Sequence, residues 1–257
     1  MAMAKLREKI KSQISTLTGL VHHTEFVNDD VFIVGHPKSG STWFQNLVAG
    51  VVYGVDPEFA PYALIRDLVP GHAQKYYKRY GTPTFFKSHH PPQPQYKRVI
   101  YIVRDGRDVM VSYFHHIRGG KNKDIEFLKV VQGKDVPWPY KWHEHVEAWL
   151  NNPYQAQMLV IKYEDLKQDT VKELRRFCGF VGVERDEAFL QRVGEKATFE
   201  KLRQKEINLG IAYPNWSPAQ LFMRRGQVGS HKDEMPAEVL EVFLRDAGDT
   251  LRKLGYL

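Results

Sequence analysis

A single cysteine, Cys178, leaves this chain of 257 residues with no intrachain disulfide and no cysteine-rich metal cluster. Stability must then come from a packed core, and the expected setting is a reducing compartment. Long apolar runs are missing as well. No stretch approaches the ~18 residues that a membrane-spanning helix requires, and charges at Lys5, Arg7, Glu8, Lys9 and Lys11 interrupt any signal-like apolar segment. The expectation is a cytoplasmic chain without stable membrane insertion. Internal repeats, low-complexity tracts and evident linkers are also lacking. Acidic residues are in the minority, 30 against 37 basic, for a formal charge of +7. That excess suits an anionic partner but does not choose between a polyanionic small ligand, nucleic acid and an anionic surface.

What the chain does have is the length and apolar content for one α/β domain spanning 1–257. Short β-branched or aromatic runs at 31–34, 84–87, 99–103 and 158–162 predict buried strands. Helical spacing predicts helices at about 42–53, 108–118, 141–151, 165–179, 186–193 and 236–254. Alternation of this kind predicts a parallel sheet flanked by helices on both faces, a three-layer fold resembling phosphate-loop proteins. Leu6, Ile10, Ile14, Leu17 and Val21 predict an N-terminal amphipathic helix over 1–21, packed on the domain. Segments 119–140 and 204–235, rich in Gly, Pro, Lys and Asn, predict long loops of the kind that cover binding sites.

The most informative segment is Gly35-His-Pro-Lys-Ser-Gly-Ser-Thr-Trp43, which follows the first strand and leads into a helix. Backbone N–H groups and the positive end of a helix dipole converge on an anion in such a setting. The spacing nearly matches the triphosphate loop G-x-x-x-x-G-K-[ST], with Gly35, Gly40 and Thr42 in place. Ser41, however, stands in the lysine slot, and the lysine has moved back to Lys38. A shoulder lysine suits the bridging side of a single 5′-phosphate and needs no magnesium clamp. The competing expectation is a glycine-rich turn that binds nothing.

Other strand ends carry chemistry-bearing groups. Lys87-Ser88-His89-His90 follows the second strand, and a neutral imidazole there suits a general base near pH 7. A His-His pair is equally at home on a loop surface. Arg104 closes the third strand, Asp108 reads as the cap of the next helix, and Ser112 lies one turn inside it. Arg104 and Ser112 fit a phosphate clamp, while spacing alone also allows Arg104 an ion pair with Asp105 or Asp108. Tyr163 ends the fourth strand, suited to a base contact or to capping the core. Arg224 and Arg225, in Phe222-Met223-Arg224-Arg225-Gly226, become a phosphate grip only if their loop folds over the site.

Taken in order from about residue 30 to 232, this set resembles the cytosolic sulfotransferases. These transfer a sulfonate from 3′-phosphoadenosine 5′-phosphosulfate (PAPS) to a hydroxyl or amine, releasing 3′-phosphoadenosine 5′-phosphate (PAP). Pro37-Lys-Ser-Gly-Ser-Thr-Trp43 matches the family's P-K-S-G-T-T-W with one Thr-to-Ser change. The resemblance implies that Lys38, Ser39, Gly40, Ser41, Thr42 and Trp43 form the 5′-phosphosulfate loop, Trp43 stacking on adenine. It implies that Lys87-Ser88-His89 is the family's K-T-H, with His89 the base and Lys87 beside the sulfonate. Arg104 and Ser112 keep the eight-residue spacing of the 3′-phosphate pair. Tyr163 and Phe199 resemble adenine contacts, and Phe222, Met223, Arg224, Arg225 and Gly226 resemble the F-M-R-K-G lid. Trp142-His-Glu-His145-Val resembles W-x-x-H-V, whose histidine lines the acceptor pocket.

Three departures accompany the match. Ala197 replaces a threonine that contacts adenine, Ser230-His231 replace Asp-Trp after Gly229, and the dimer motif survives only as Lys232, Pro236-Ala237 and Glu241. A monomer or weak homodimer is therefore expected. The expected reaction is in-line transfer to a small-molecule alcohol, phenol or amine, with no metal and no nucleic acid. Phe85, Phe114, His115, Trp138, Trp142 and His145 are candidates for the acceptor pocket or for plain core packing. The rival activities are a magnesium-dependent small-molecule or nucleoside kinase and a non-catalytic polyanion binder. Ser41 argues against the first, and basic residues at separate strand ends argue against the second.

Overall fold

The computed structural model describes residues 18–120, 124–211 and 221–257. Among these, β1 (Leu20–His22) and β3 (Tyr76–Lys78) pair antiparallel as a small ribbon, apart from the main sheet. The main sheet holds β2 (Val31–Val34), β4 (Phe85–Ser88), β5 (Arg98–Val103) and β6 (Gln157–Lys162), in the order β4-β2-β5-β6 and parallel throughout. The helices are α1 (Ser41–Tyr53), α2 (Tyr62–Leu68), α3 (Gly106–Gly119), α4 (Phe127–Val131), α5 (Trp142–Asn151), α6 (Tyr163–Gln168), α7 (Thr170–Val181), α8 (Glu187–Lys196), α9 (Phe199–Leu209), α10 (His231–Glu234) and α11 (Ala237–Lys253).

The strands are apolar at nearly every position because both faces are covered. Val31, Ile33, Phe85, Ile100, Ile102 and Ile161 pack with α1 (Phe44, Leu47, Val48), α7 (Leu174, Phe177) and α8 (Leu190, Val193). Phe32, Val34, Phe86, Val99, Tyr101 and Val103 face the other way, toward α3 (Val109, Met110), α5 (Trp142, Trp149) and α11 (Val239, Phe243, Leu251). Burying each such side chain contributes roughly 1.5–3 kcal/mol. The outcome is the three-layer α/β domain expected.

Several local expectations change. The predicted N-terminal helix lies outside the described residues up to position 17. Thr18 is helical, but residues 19–21 are not: Gly19 turns the chain at φ +67°, and Leu20–Val21 enter β1. The helix after β5 is capped by Asp105, which accepts from the Arg107 amide at 2.9 Å, not by Asp108. The helix predicted at 165–179 is two helices parted at Asp169, whose carboxylate caps α7 through the Lys172 amide. The segment expected as a loop from 204 begins inside α9, which starts at a Thr198 cap and runs to Leu209. Short α4 and α10 interrupt the two long loops.

Candidate active site

The C-terminal ends of all four main-sheet strands open onto one cavity of about 1080 Å³. β2 leads into the 35–40 loop and α1, β4 into His89, β5 into Arg104 and β6 into Tyr163. Ligands in parallel α/β sheets bind at this edge. The cavity gathers Lys38, Gly40, Ser41, Thr42, Trp43, Lys87, His89, Arg104, Ser112, Tyr163, Phe199, Phe222, Met223, Arg224, Arg225 and Gly226. Two of the expected site residues stand elsewhere. Ser39 is buried at the root of the loop, its amide donating to the His36 carbonyl at 3.1 Å. His145 is buried behind His89 instead of at the cavity wall. Its Nε2–H donates to the His89 carbonyl at 3.0 Å, and Tyr101 donates to its Nδ1 at 3.1 Å.

The loop is shaped for an anion. Gly40 stands at the N-cap of α1 with φ +102° and no side-chain cap, and the first turn carries no acid. The N–H groups there are left to a ligand. A Cβ on Gly40 would lie 2.7 Å from the Tyr163 ring, so only glycine lets the loop pass this close. Lys38 itself adopts φ +74°, a conformation that costs a non-glycine residue on the order of 1 kcal/mol and is retained here at a strand end facing the cavity. Its ammonium sits 3.7 Å from the centre of the Phe222 ring. Burial, then the neighbouring charges of Lys87 and Arg104, push its pKa down to about 7.

Lys87 donates to Thr42 Oγ1 at 2.7 Å. An ammonium thus occupies the hydroxyl that a triphosphate loop gives to magnesium. His89 directs Nδ1–H to the Gly35 carbonyl at 2.6 Å. That bond sets the tautomer, because a carbonyl only accepts, and it leaves the lone pair on Nε2. Burial, then the charge of Lys87, hold this imidazole well below its usual pKa of 6.5.

Arg104 lies over the Tyr163 ring at 4.4 Å, donates to the Gln227 carbonyl at 2.7 Å, and pairs with Asp108 at 3.7 Å. The phosphate-clamp and ion-pair alternatives are therefore compatible. Its buried Nε has no hydrogen-bond partner among the described residues, a deficit that an anion would relieve. Trp43, Phe199 and Phe222 are partly buried around Leu202 and Met223, an aromatic patch of a size to hold a base. Trp43 is fixed there by its Nε1–H on the Ala197 carbonyl at 2.8 Å. Ala197 is itself fully buried, so the departure at this position faces the core.

The 222–231 segment folds over the site. Tyr163 and Lys167 both donate to the Gly226 carbonyl. Glu206, on α9, accepts from the Phe222 and Met223 amides. Gly226 holds φ +60°, and a Cβ there would lie 2.2 Å from Phe199. Gly226→Ala is accordingly expected to weaken binding of an adenine nucleotide about tenfold or more, through a displaced Phe199 and a strained lid. Titration calorimetry on wild type and variant checks this.

Beyond His89 the wall is His72, Tyr113, His116, Ile117, Val136, Pro137 and Trp138. Of the acceptor-pocket candidates only Trp138 lines it. Phe85 and Trp142 belong to the core, Phe114 stacks on Phe127 at 4.4 Å, and His115 pairs with Glu234. Burial pushes His72 down to about 4 and His116 down to about 3, so both are neutral near pH 7. This end of the cavity is largely aromatic and apolar, with Asp135 beside Val136 also on its lining. His72 and His116 carried no sequence signal, because the chain brings them in from separate loops and helices.

Glu206 and Glu234 were also missed, and Asp108 was expected to pair with Arg104, as it does, but not to hold residues 229–231. Glu206 had a usable signal, four residues after Leu202 in a helix with a Thr cap. Asp108 and Glu234 act over contacts of long or irregular separation that no local pattern announces.

A family model described as the sulfotransferase domain matches residues 28–255. Sulfotransferase 1C2 of Oryctolagus cuniculus is 29% identical over 244 residues, covering 84% of this chain and 80% of that protein. Sulfotransferase 2B1 of Homo sapiens is 29% identical over 250 residues, covering 88% and 67%. Among solved structures, retinol dehydratase with retinol and PAP superposes with a TM-score of 0.68 at 22% identity, covering 90% of this chain and 83% of that one. A mouse sulfotransferase complexed with PAP gives a TM-score of 0.67, also at 22% identity, covering 89% and 90%. Cavity, loop and matched span agree: the chain belongs to the sulfotransferase family.

Proposed function

We propose that this sulfotransferase uses PAPS as donor and sulfates the hydroxyl or amine of a small, largely apolar acceptor, with His89 as general base. The observation that carries this reading is the shoulder lysine of the loop. Lys38 faces the cavity while the Lys87 ammonium donates to the Thr42 hydroxyl, an arrangement fitted to one 5′-phosphate and poorly fitted to a magnesium triphosphate. The PAP in the solved relatives supports the same donor. So do the unpartnered Arg104 Nε and the uncapped N-terminus of α1.

When bound, the donor supplies an electrophilic sulfur and a phosphate leaving group. The acceptor oxygen or nitrogen forms a bond to that sulfur as the bridging S–O bond opposite breaks. His89 Nε2 takes the acceptor's proton. Lys38 hydrogen-bonds the bridging oxygen and, with the loop N–H groups, stabilises the charge left on the 5′-phosphate. Lys87 neutralises charge on the sulfonate oxygens. Arg104, Ser112, Arg224, Arg225 and the Gly226 amide grip the 3′-phosphate, and Trp43 and Phe199 sandwich adenine. Positioning and electrostatics do the work, as in phosphoryl transfer.

The neutral, largely aromatic surface of His72, His116, Val136 and Trp138 suits a flat or apolar alcohol, phenol or amine. No helix among the described residues is long and apolar enough to cross a membrane, and we assign the protein to the cytoplasm as a monomer or weak homodimer. Calorimetry is expected to show binding of adenosine 3′,5′-bisphosphate and none of magnesium-ATP. Mass spectrometry of acceptor mixtures with PAPS is expected to show products heavier by one SO₃. Heat with magnesium-ATP and none with the bisphosphate would sink the assignment in favour of a kinase.

A further inference from the structure

The lid over the donor site is docked by acids to which no motif assigns that task. At its far end, fully buried Asp108 accepts from the amides of Gly229 (2.7 Å) and His231 (2.9 Å) and from His231 Nδ1 (2.8 Å). Ser230 Oγ adds a longer contact at 3.3 Å. Ser230 and His231 are the residues that replace Asp-Trp in this chain, and with Gly229 they fasten α10 to α3. One turn on, at the end of α10, Glu234 collects four hydrogen bonds from three residues. Arg224 is bidentate on it at 2.6 and 3.0 Å, Arg225 reaches it at 2.8 Å, and His115 Nε2 at 3.0 Å. Asp108, Ser112 and His115 follow one another on α3 at spacings of four and three, hence on one face. The same helix face therefore presents Ser112 to the cavity and holds α10 on either side of it. A continuous polar chain runs from α3 through α10 to the two lid arginines.

We infer that Glu234 is a positioning residue for the 3′-phosphate grip, a role that rests on the PAPS reading above. A guanidinium has five N–H donors. Glu234 takes two from Arg224 and one from Arg225, leaving most of them for a ligand. Both arginines line the cavity, and a shared carboxylate offsets the repulsion of two like charges one residue apart. Side chains already held in place lose less freedom when a phosphate arrives. The grip is thereby set before the nucleotide binds, and the benefit falls only on nucleotides that carry a 3′-phosphate.

The test is calorimetry of wild type, Glu234→Gln and Glu234→Ala with two probes, adenosine 3′,5′-bisphosphate and adenosine 5′-monophosphate. Glu234→Ala is expected to bind the bisphosphate about tenfold more weakly, with the Gln variant between it and wild type. Affinity for the monophosphate should be unchanged in both. In an Arg224→Ala/Arg225→Ala background, Glu234→Ala should add nothing. Tighter bisphosphate binding would overturn the role, because Glu234 would then be a competitor for the arginines. Equal loss for both nucleotides would overturn it too, as general collapse of the lid. Wild-type protein that binds both probes equally well would instead sink the donor assignment itself.

Discussion

His89→Ala loses turnover, with kcat expected to fall by about 10²–10⁴-fold, while adenosine 3′,5′-bisphosphate binds almost as tightly as before. Product formation followed by mass spectrometry and nucleotide affinity by calorimetry separate the two effects. The expectation follows from the ring's wiring. Nδ1–H is committed to the Gly35 carbonyl, so Nε2 is the only nitrogen left to accept a proton. His145 holds the His89 carbonyl from behind, which fixes the proposed base from outside the cavity. The imidazole is kept well below 6.5 first by burial and then by Lys87. It is therefore neutral at pH 7 and is lost as a base only when the pH falls well below 6.5. Near-normal turnover of the alanine variant would remove His89 from the role.

Lys38→Met carries the second large effect. The side chain keeps its length and its packing on Phe222 but loses the charge that we propose meets the bridging oxygen. Single electrostatic donors of this kind are worth on the order of 3 kcal/mol, so kcat should fall by about 10²-fold. The pH dependence provides an independent reading. In the free protein Lys38 is pushed down to about 7, chiefly by burial and then by Lys87 and Arg104. An anionic nucleotide favours the ammonium and raises that pKa. Binding above pH 7 must then take up a proton, and affinity should decline as the pH rises through 7 and beyond. Below pH 7 the lysine is already charged and affinity should level off. Calorimetry in buffers of different ionisation enthalpy reads the proton directly. The Lys38→Met variant should lose both the uptake and the slope, and an unchanged slope would exclude Lys38 as its source.

The features that local sequence made legible are those whose physics is local. The four main-sheet strands were readable because both faces are covered, so Val31–Val34 and Val99–Val103 are apolar at every position. The phosphate-type loop was readable because one glycine spacing and one displaced lysine define it. Positions that depend on distant partners were not. Asp108 has the look of a helix cap, yet Asp105 takes that place and Asp108 serves residues 229–231, more than 120 positions away. His145 matches a motif tied to the acceptor pocket, but the core around Tyr101 claims it. Residues 204–209 carry the polar composition of a loop. The Thr198 cap, the buried Lys205 on Asn46 and the Glu206 brace on the lid make them helix. Acceptor identity is the hardest case, since its wall is assembled from segments near positions 72, 113–117 and 136–138 that share no pattern.

The grasp on the lid is made largely through main-chain atoms: Arg104 on the Gln227 carbonyl, Tyr163 and Lys167 on that of Gly226, and Asp108 and Glu206 on amides. Carbonyl handles are supplied by any residue, and amide handles by any residue but proline. The half-exposed Val228 is therefore free to drift in evolution, or to be rewritten by a designer seeking a label or a crosslink, without loosening the flap's hold over the cavity.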